Sequence, residues 1–151
     1  MRQWHRQTAE RRAEELPPAF RAAVDAYAER EGLGDLLDAE TTVCSTRSEP
    51  TDAAGRGLFR RPPPPYETWL LLSATALVVV SDASGSPVAI VFRPGDLDVR
   101  RFSSPLVDDD GLEVTGAAVG ASERATLFLP LDDGPAGRAF AAALQAAAGG
   151  P

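Results

Sequence analysis

The middle of the chain alternates between short apolar runs and short polar turns. The apolar runs are Tyr66 to Leu72, Leu77 to Ser81 and Val88 to Phe92, and the residues between them are rich in Ser, Asp, Gly and Pro. Leu97 to Phe102 then alternates apolar and polar positions, which is typical of a half-exposed strand. This pattern predicts consecutive antiparallel β-strands joined by tight turns. Their large apolar surface requires that the flanking segments cover them.

Segments on either side add further strands and a final helix. Thr41 to Ser48 is rich in β-branched residues, and Leu112 to Thr115 and Ala125 to Leu131 have strand-like apolar positions. Residues 134–148 predict a helix, because Pro135 suits a first turn and apolar residues follow at helical spacing. About seven strands and a C-terminal helix indicate the α+β class.

The N-terminal part of the chain is predicted to be helical. Residues 3–16 combine glutamate and arginine, a composition that favours helix, although they offer little apolar surface. Ala19 to Glu31 has a clear amphipathic pattern, and Gly32 suits the end of that helix. We therefore expect residues 1–40 to form an N-terminal helical extension.

Two stretches of the chain resemble a known family. WLLLSATALVVVS, Trp69 to Ser81, is similar to the hairpin of small bacterial pleckstrin-homology-like (PH-like) domains. FLPLDDGPAGRAFAAALQAA, Phe128 to Ala147, looks like their last strand and capping helix. The resemblance covers residues 41–148. It implies a barrel of about seven antiparallel strands, capped by the C-terminal helix, so that residues 41–151 form the barrel domain.

The resemblance also bears on function. PH-like folds include lipid binders, peptide binders and scaffolds, so the fold alone does not fix the function. No catalytic constellation accompanies it in the sequence. We therefore expect a non-enzymatic protein-interaction or scaffold module that uses no cofactor and binds another protein or a second copy of itself.

Composition narrows the class of partner. The chain has 151 residues, 44% hydrophobic and 25% charged, which is typical of one folded domain, and its formal net charge is −7. Nucleic-acid binding needs a dominant positive field, so we do not expect it. All 15 basic residues are arginine and lysine is absent. This bias indicates a GC-rich, bacterial genome. An arginine at any one position is therefore weak evidence that its guanidinium has a functional role.

The residues with catalytic or metal-binding chemistry are few and scattered. Cys44 is the one cysteine and His5 the one histidine, and they are far apart in sequence. Asp108–Asp110 lacks the alternating ligands and glycine of a calcium loop, so a solvated acidic turn is the better interpretation. The N-terminus has no signal-peptide core and no run suits stable membrane insertion, which predicts a cytoplasmic protein.

An arginine-rich loop is the first candidate site. Its members are Arg47, Arg56, Phe59, Arg60 and Arg61, and four prolines follow them. In phosphoinositide-binding PH-like domains the corresponding loop supplies cations to phosphates, which implies an anionic ligand or a peripheral contact with anionic lipid as the alternative function. A solvated loop explains the same arginines, and Phe59 is then either a buried anchor or an exposed contact residue.

An apolar stripe near the N-terminus is the second candidate site. Its members are Trp4, Leu16, Phe20 and Tyr27. If the N-terminal helices do not pack onto the barrel, this stripe would be an exposed patch suited to self-association as a homodimer. Packing of the same residues against the barrel is the alternative.

Overall fold

The fold is described from a computed structural model, which covers residues 2–37, 40–51 and 61–149. Within these residues the chain forms eight β-strands and two α-helices, which confirms the α+β class. The elements in chain order are β1 (Trp4–Arg11), α1 (Pro18–Glu31), β2 (Thr42–Pro50), β3 (Tyr66–Leu72), β4 (Leu77–Ser81), β5 (Val88–Phe92), β6 (Asp98–Arg101), β7 (Gly111–Gly116), β8 (Ala125–Pro130) and α2 (Pro135–Ala148).

The strands form two antiparallel sheets. The first has five strands in the order β1-β2-β3-β4-β5, and the second has three in the order β6-β7-β8. No strand pairing joins the two sheets in the described part of the chain, so the expected closed barrel of seven strands is not confirmed. The large sheet has β1 and β5 as its edge strands, and the small sheet has β6 and β8.

The N-terminal segment differs from the prediction. The helix expected over residues 3–16 is wrong for Trp4–Arg11, which is strand β1 and pairs with β2 from Trp4↔Pro50 to Arg11↔Val43. The helical composition of this segment yields to pairing along the exposed edge of β2, since tertiary context overrides weak propensities. Within the described part of residues 1–40, the expected helical extension instead contains strand β1 followed by helix α1.

Helix α1 covers one face of the five-stranded sheet. Its buried residues are Phe20, Val24, Tyr27 and Ala28. Three of them, Phe20, Val24 and Tyr27, pack with Leu16 against the side chains that the sheet presents on this face, which include Trp69, Leu71, Val78, Val80 and Val91. The helix ends at Gly32, whose φ of 65° is the left-handed conformation expected of a glycine that terminates a helix.

The three-stranded sheet and α2 cover the opposite face. A second apolar cluster joins them to the five-stranded sheet through Leu70, Leu77, Phe92, Leu129, Phe140 and Leu144. Strand β3 contributes to both clusters, because alternate residues such as Leu70 and Leu71 point to opposite faces. The molecule is thus layered as α1, then the five-stranded sheet, then the small sheet with α2.

Packing of α1 predicts the effect of truncating its buried aromatic residue. Phe20→Ala should lower the free energy of unfolding by about 3–5 kcal/mol, because it leaves a cavity between α1 and the sheet. Asp25→Ala on the exposed side of the same helix is the control, and it should change stability by less than about 0.5 kcal/mol. Urea denaturation measures both. Equal effects of the two substitutions would show that α1 does not pack on the sheet.

Candidate interaction surface

A buried arginine on β1 connects the large sheet to the small sheet and to the loop that precedes β7. The side chain of Arg6 is 3% exposed, and its guanidinium donates two hydrogen bonds to the carboxylate of Asp109, at 3.0 and 2.6 Å. It also donates to the hydroxyl oxygens of Ser48 and Tyr66, both at 2.6 Å. This bidentate, charge-assisted pairing compensates the burial of both charges. Burial opposes the charge of Arg6, but the bonds to Asp109 and Tyr66 keep its pKa above the ordinary value.

Aromatic rings complete the surroundings of this arginine. The guanidinium carbon lies 5.1 Å from the centre of the Trp4 ring, 5.7 Å from that of Tyr66 and 5.3 Å from that of Phe128. Trp4 and Tyr66 also meet edge to face, with ring centres 5.1 Å apart. The contacts place one residue of β8 and two of the large sheet around a single cation, so Arg6 fixes the spacing of the two sheets here.

Thr8 makes a second connection from β1. Its backbone N–H donates to the carboxylate of Asp132 at 2.8 Å, and the backbone N–H of Asp132 donates to the Thr8 hydroxyl at 2.9 Å. Asp132 also accepts from the backbone N–H of Gly134, just before α2. Strand β1 is therefore tied to the segment that starts the C-terminal helix.

The loop between β6 and β7 is held at its base and apolar at its tip. Asp108 and Asp110 pair with Arg2, and Asp109 pairs with Arg6. Leu106, by contrast, is 91% exposed, the highest value among the large apolar residues that are exposed. The predicted acidic turn is thus an anchor for the loop, and its carboxylates are engaged by arginines.

An apolar groove opens between β8 and the neighbouring strands of the large sheet. Its volume is about 370 Å³, and none of the side chains that line it is charged. The lining residues are Tyr66, Thr68, Val79, Ser81, Ala83, Ser84, Val88, Ile90, Leu127, Phe128 and Pro130. Val88, on the rim, is 58% exposed. In a chain with 25% charged residues, an uncharged groove of this size is an exception that a binding surface would explain.

Phe128 forms one end of this groove and is positioned by its neighbours. A methyl group at Gly111 would collide with the Phe128 ring and the Leu129 carbonyl, so only glycine lets the ring lie there. The ring also meets Phe102 edge to face, at 5.1 Å between centres. Phe128 thus connects the groove to the loop that carries Leu106.

The predicted arginine site is only partly described. Arg56, Phe59 and Arg60 lie outside the described residues. Arg47 is exposed on β2, and its guanidinium pairs with Glu49 at 3.2 Å. Arg61 is exposed as well.

Three of the four residues of the predicted self-association stripe are buried. Leu16, Phe20 and Tyr27 are 4%, 6% and 7% exposed and belong to the cluster under α1. The Tyr27 hydroxyl donates to the carbonyl of Val119. Trp4 is half-buried on β1 against Arg6 and Tyr66. Leu16, Phe20 and Tyr27 thus pack within one chain, whereas Trp4 remains partly exposed.

Cys44 and His5 do not form a catalytic pair. Cys44 is 2% exposed in β2, and burial, with a smaller effect from the charge of Asp132, raises the pKa of its thiol to about 12. His5 is exposed and lies opposite Glu49, whereas Cys44 lies opposite Glu10. Five strand positions therefore separate them, which corresponds to about 17 Å. Cys44 is thus a buried residue of β2.

Within residues 2–37, 40–51 and 61–149, no three His, Cys, Asp or Glu side chains are grouped so that they could hold a metal ion. Neither helix in these ranges has the length and apolar character needed to cross a bilayer.

Comparisons with protein-family models, with curated proteins and with solved structures give no match. The groove could not be predicted from the sequence, because its walls come from four strands of two different sheets, and their arrangement depends on contacts between distant parts of the chain. The only local signal was Val88, an apolar residue at the exposed start of a strand.

The buried ion pair yields a stability prediction. Arg6→Ala should lower the free energy of unfolding by about 3–5 kcal/mol, since Asp109 is then buried without its partner. Arg47→Ala removes an exposed pair and should cost less than about 1 kcal/mol. The double variant Arg6→Met/Asp109→Leu should be more stable than Arg6→Ala, because no uncompensated charge remains. Chemical denaturation distinguishes these cases, and equal values for Arg6→Ala and Arg47→Ala would refute the role given to Arg6.

Burial of Cys44 yields a prediction for pH and thiol reactivity. Because the folded-state pKa is raised to about 12, the thiol stays protonated at neutral pH. Its contribution to stability is complete below the unfolded thiol's pKa of about 8.5 and is lost as pH rises toward the folded value. Iodoacetamide at about pH 8 should therefore label the native chain at least about a hundredfold more slowly than the urea-unfolded chain. Similar labelling rates would contradict this.

Proposed function

We propose that this protein is a non-enzymatic protein-interaction module with a PH-like fold, and that it binds its partner at the groove between β8 and the large sheet. The observation that supports this most is the uncharged groove of about 370 Å³, with Val88 on its rim 58% exposed. Solvent-exposed apolar surface of this kind is unfavourable in water and becomes favourable when a partner covers it.

The order of the elements supports the PH-like part of the proposal. From Thr42 onward the chain has four antiparallel strands, then three antiparallel strands, then helix α2. Phe140 and Leu144 of α2 pack into the core between the two sheets. A helix in this position suits a fold in which two sheets face each other and a C-terminal helix covers one end.

The environments of the reactive side chains support a role other than catalysis. The thiol of Cys44 is buried and protonated, and His5 is exposed at a distance from it. A nucleophile and its base must be within hydrogen-bond reach. A cytoplasmic location is part of the proposal, and the single unpaired cysteine is typical of proteins in a reducing compartment.

The second candidate function is recognition of an anionic ligand by the arginine-rich loop. Among its arginines, Arg61 is exposed and Arg47 is paired with Glu49. This pairing lowers the positive charge that Arg47 offers to a ligand. We therefore rank the loop behind the groove and let the same experiment test both.

The proposal is tested by affinity capture with the tagged, full-length chain in lysate of its own cells. A stoichiometric protein should be retained by the wild type and lost with Val88→Asp, because a charge on the rim is costly to bury against an apolar partner. Ala22→Asp on the exposed side of α1 adds the same charge far from the groove, and this control should retain the partner.

The alternative is tested in the same capture with the variant Arg56→Ala/Arg60→Ala/Arg61→Ala and with high salt. Binding to the groove should survive both treatments. If the bound material is instead an anionic compound, lost in the arginine variant and in salt, the second candidate function holds. Retention of the partner by Val88→Asp would contradict the proposed site.

A further inference from the structure

Among the described residues, the edge of β8 beside the groove presents backbone groups that pair with no other strand. Strand β8 is the last strand of its sheet and pairs only with β7 within the described residues. Side chains of Leu127, Phe128 and Pro130 line the groove from this strand. A strand edge of this kind is a template for a further strand, and proteins commonly protect such edges.

The hydrogen-bonding pattern between β7 and β8 shows which backbone N–H and C=O groups of β8 point away from β7. The N–H of Leu131 donates to the carbonyl of Asp110, and the N–H of Phe102 donates to the carbonyl of Gly111. In an antiparallel ladder, alternate residues bond to the same neighbour. Leu127 and Leu129 therefore bond to β7, and the N–H and C=O groups of Thr126 and Phe128 face away from it.

The edge of β5 across the groove is less available. The carbonyl of Val91, which faces outward from β5, accepts a hydrogen bond of 2.8 Å from the N–H of Val119. The segment after β7 thus covers part of this edge. The edge of β8 has no such cover among the described residues, and Thr126 is exposed on it.

The groove also selects the side chains of a segment bound at this edge. No charged side chain lines it, so a charge that entered would lose its hydration without gaining a partner. A strand sends alternate side chains to the same side. A segment paired with β8 would therefore place every second side chain in the groove, and those side chains must be uncharged and apolar.

We propose that the groove binds an extended peptide segment of a partner protein, with uncharged apolar residues at alternate positions, and that this segment adds to the edge of β8 as a fourth strand. The inference rests on the proposed function and specifies how that partner is held. Main-chain hydrogen bonds to Thr126 and Phe128 give affinity, and the groove gives side-chain specificity.

Peptides selected on the protein itself test this mode of binding. Random dodecapeptides displayed on phage are selected on the immobilised full-length chain, and the affinity of the labelled consensus peptide is measured by fluorescence anisotropy. The expected consensus has uncharged apolar residues at alternate positions. A charged or proline-rich consensus, or no selected sequence, would overturn the inference.

Substitution of Thr126 separates the backbone contribution from the side chain. Thr126→Pro removes an N–H that faces away from β7, so the ladder loses no bond. It should weaken peptide binding about tenfold, since a backbone acceptor of the peptide is left unpaired. Thr126→Val keeps the N–H and should change the affinity less than about twofold. Thermal unfolding by circular dichroism confirms that each variant is folded.

Val88, on the rim of the groove, provides a second and independent test of peptide binding. Val88→Asp should weaken the consensus peptide at least about tenfold, and Ala22→Asp should leave its affinity unchanged. If Thr126→Pro and Thr126→Val bind the peptide with equal affinity, strand addition is refuted, even if Val88→Asp binds the peptide weakly.

Two other occupants have distinct signatures. A dimer in sedimentation analysis that Thr126→Pro dissociates, together with no selected peptide, would assign the edge to a second copy of this chain. A fatty-acid mass retained in native mass spectrometry and displaced by no peptide would assign the groove to an acyl chain. Either result overturns the inference.

The outcomes also separate this inference from the proposed function. A captured protein that needs an intact Val88 rim but binds Thr126→Pro normally would preserve the function and refute strand addition. Failure to capture any protein and to select any peptide would refute both.

Discussion

A single buried cation sets the relation between the two layers of strands. Arg6 lies on β1, pairs with Asp109 from the loop that precedes β7, and contacts the ring of Phe128 on β8. A guanidinium in this environment is tolerable only when its donors are satisfied and its charge is paired. Ser48, Tyr66 and Asp109 meet that requirement together. The strand, the loop and the small sheet are therefore positioned by one constraint.

This constraint explains why the interior is polar at one place and apolar at others. Arg6, Thr46, Ser48 and Thr68 are buried within the large sheet, yet every buried side-chain nitrogen and oxygen in the described residues has a hydrogen-bond partner. The layers are thus joined by directional bonds near β1. Among the described residues no strand pairing joins β8 directly to β3, β4 or β5, and the groove lies between them. The candidate surface is in this sense a consequence of where the polar connections lie.

Much of the fold could be predicted from local sequence pattern. Strands β3 to β5 and helix α2 follow from apolar periodicity and from proline and glycine at their ends, because these signals act over a few residues. Trp4–Arg11 could not be predicted, since its glutamate and arginine content favours helix and only pairing with β2 makes it a strand. The groove was equally hidden, because Val88, Thr68 and Phe128 come together only through the arrangement of the two sheets. The closed barrel suggested by the family resemblance required pairing between edge strands of the two sheets, and such pairing depends on long-range geometry.

The groove and the edge of β8 together form one surface that is supported by its neighbours. Arginine pairs hold the loop beside it, and Gly111 leaves room for the Phe128 ring that lines the groove. Among the described residues, the outer edge of β8 pairs with no further strand. A surface that combines rigid support with unpaired backbone groups suits recognition of another chain by main-chain pairing.

Amide hydrogen exchange of the free protein, resolved along β8 by NMR, tests this account most directly. We predict alternation, with rapid exchange at Thr126 and Phe128 and slow exchange at Leu127 and Leu129, because only the latter N–H groups bond to β7. Uniform protection along β8 would contradict the account, since it would mean that the edge is already covered.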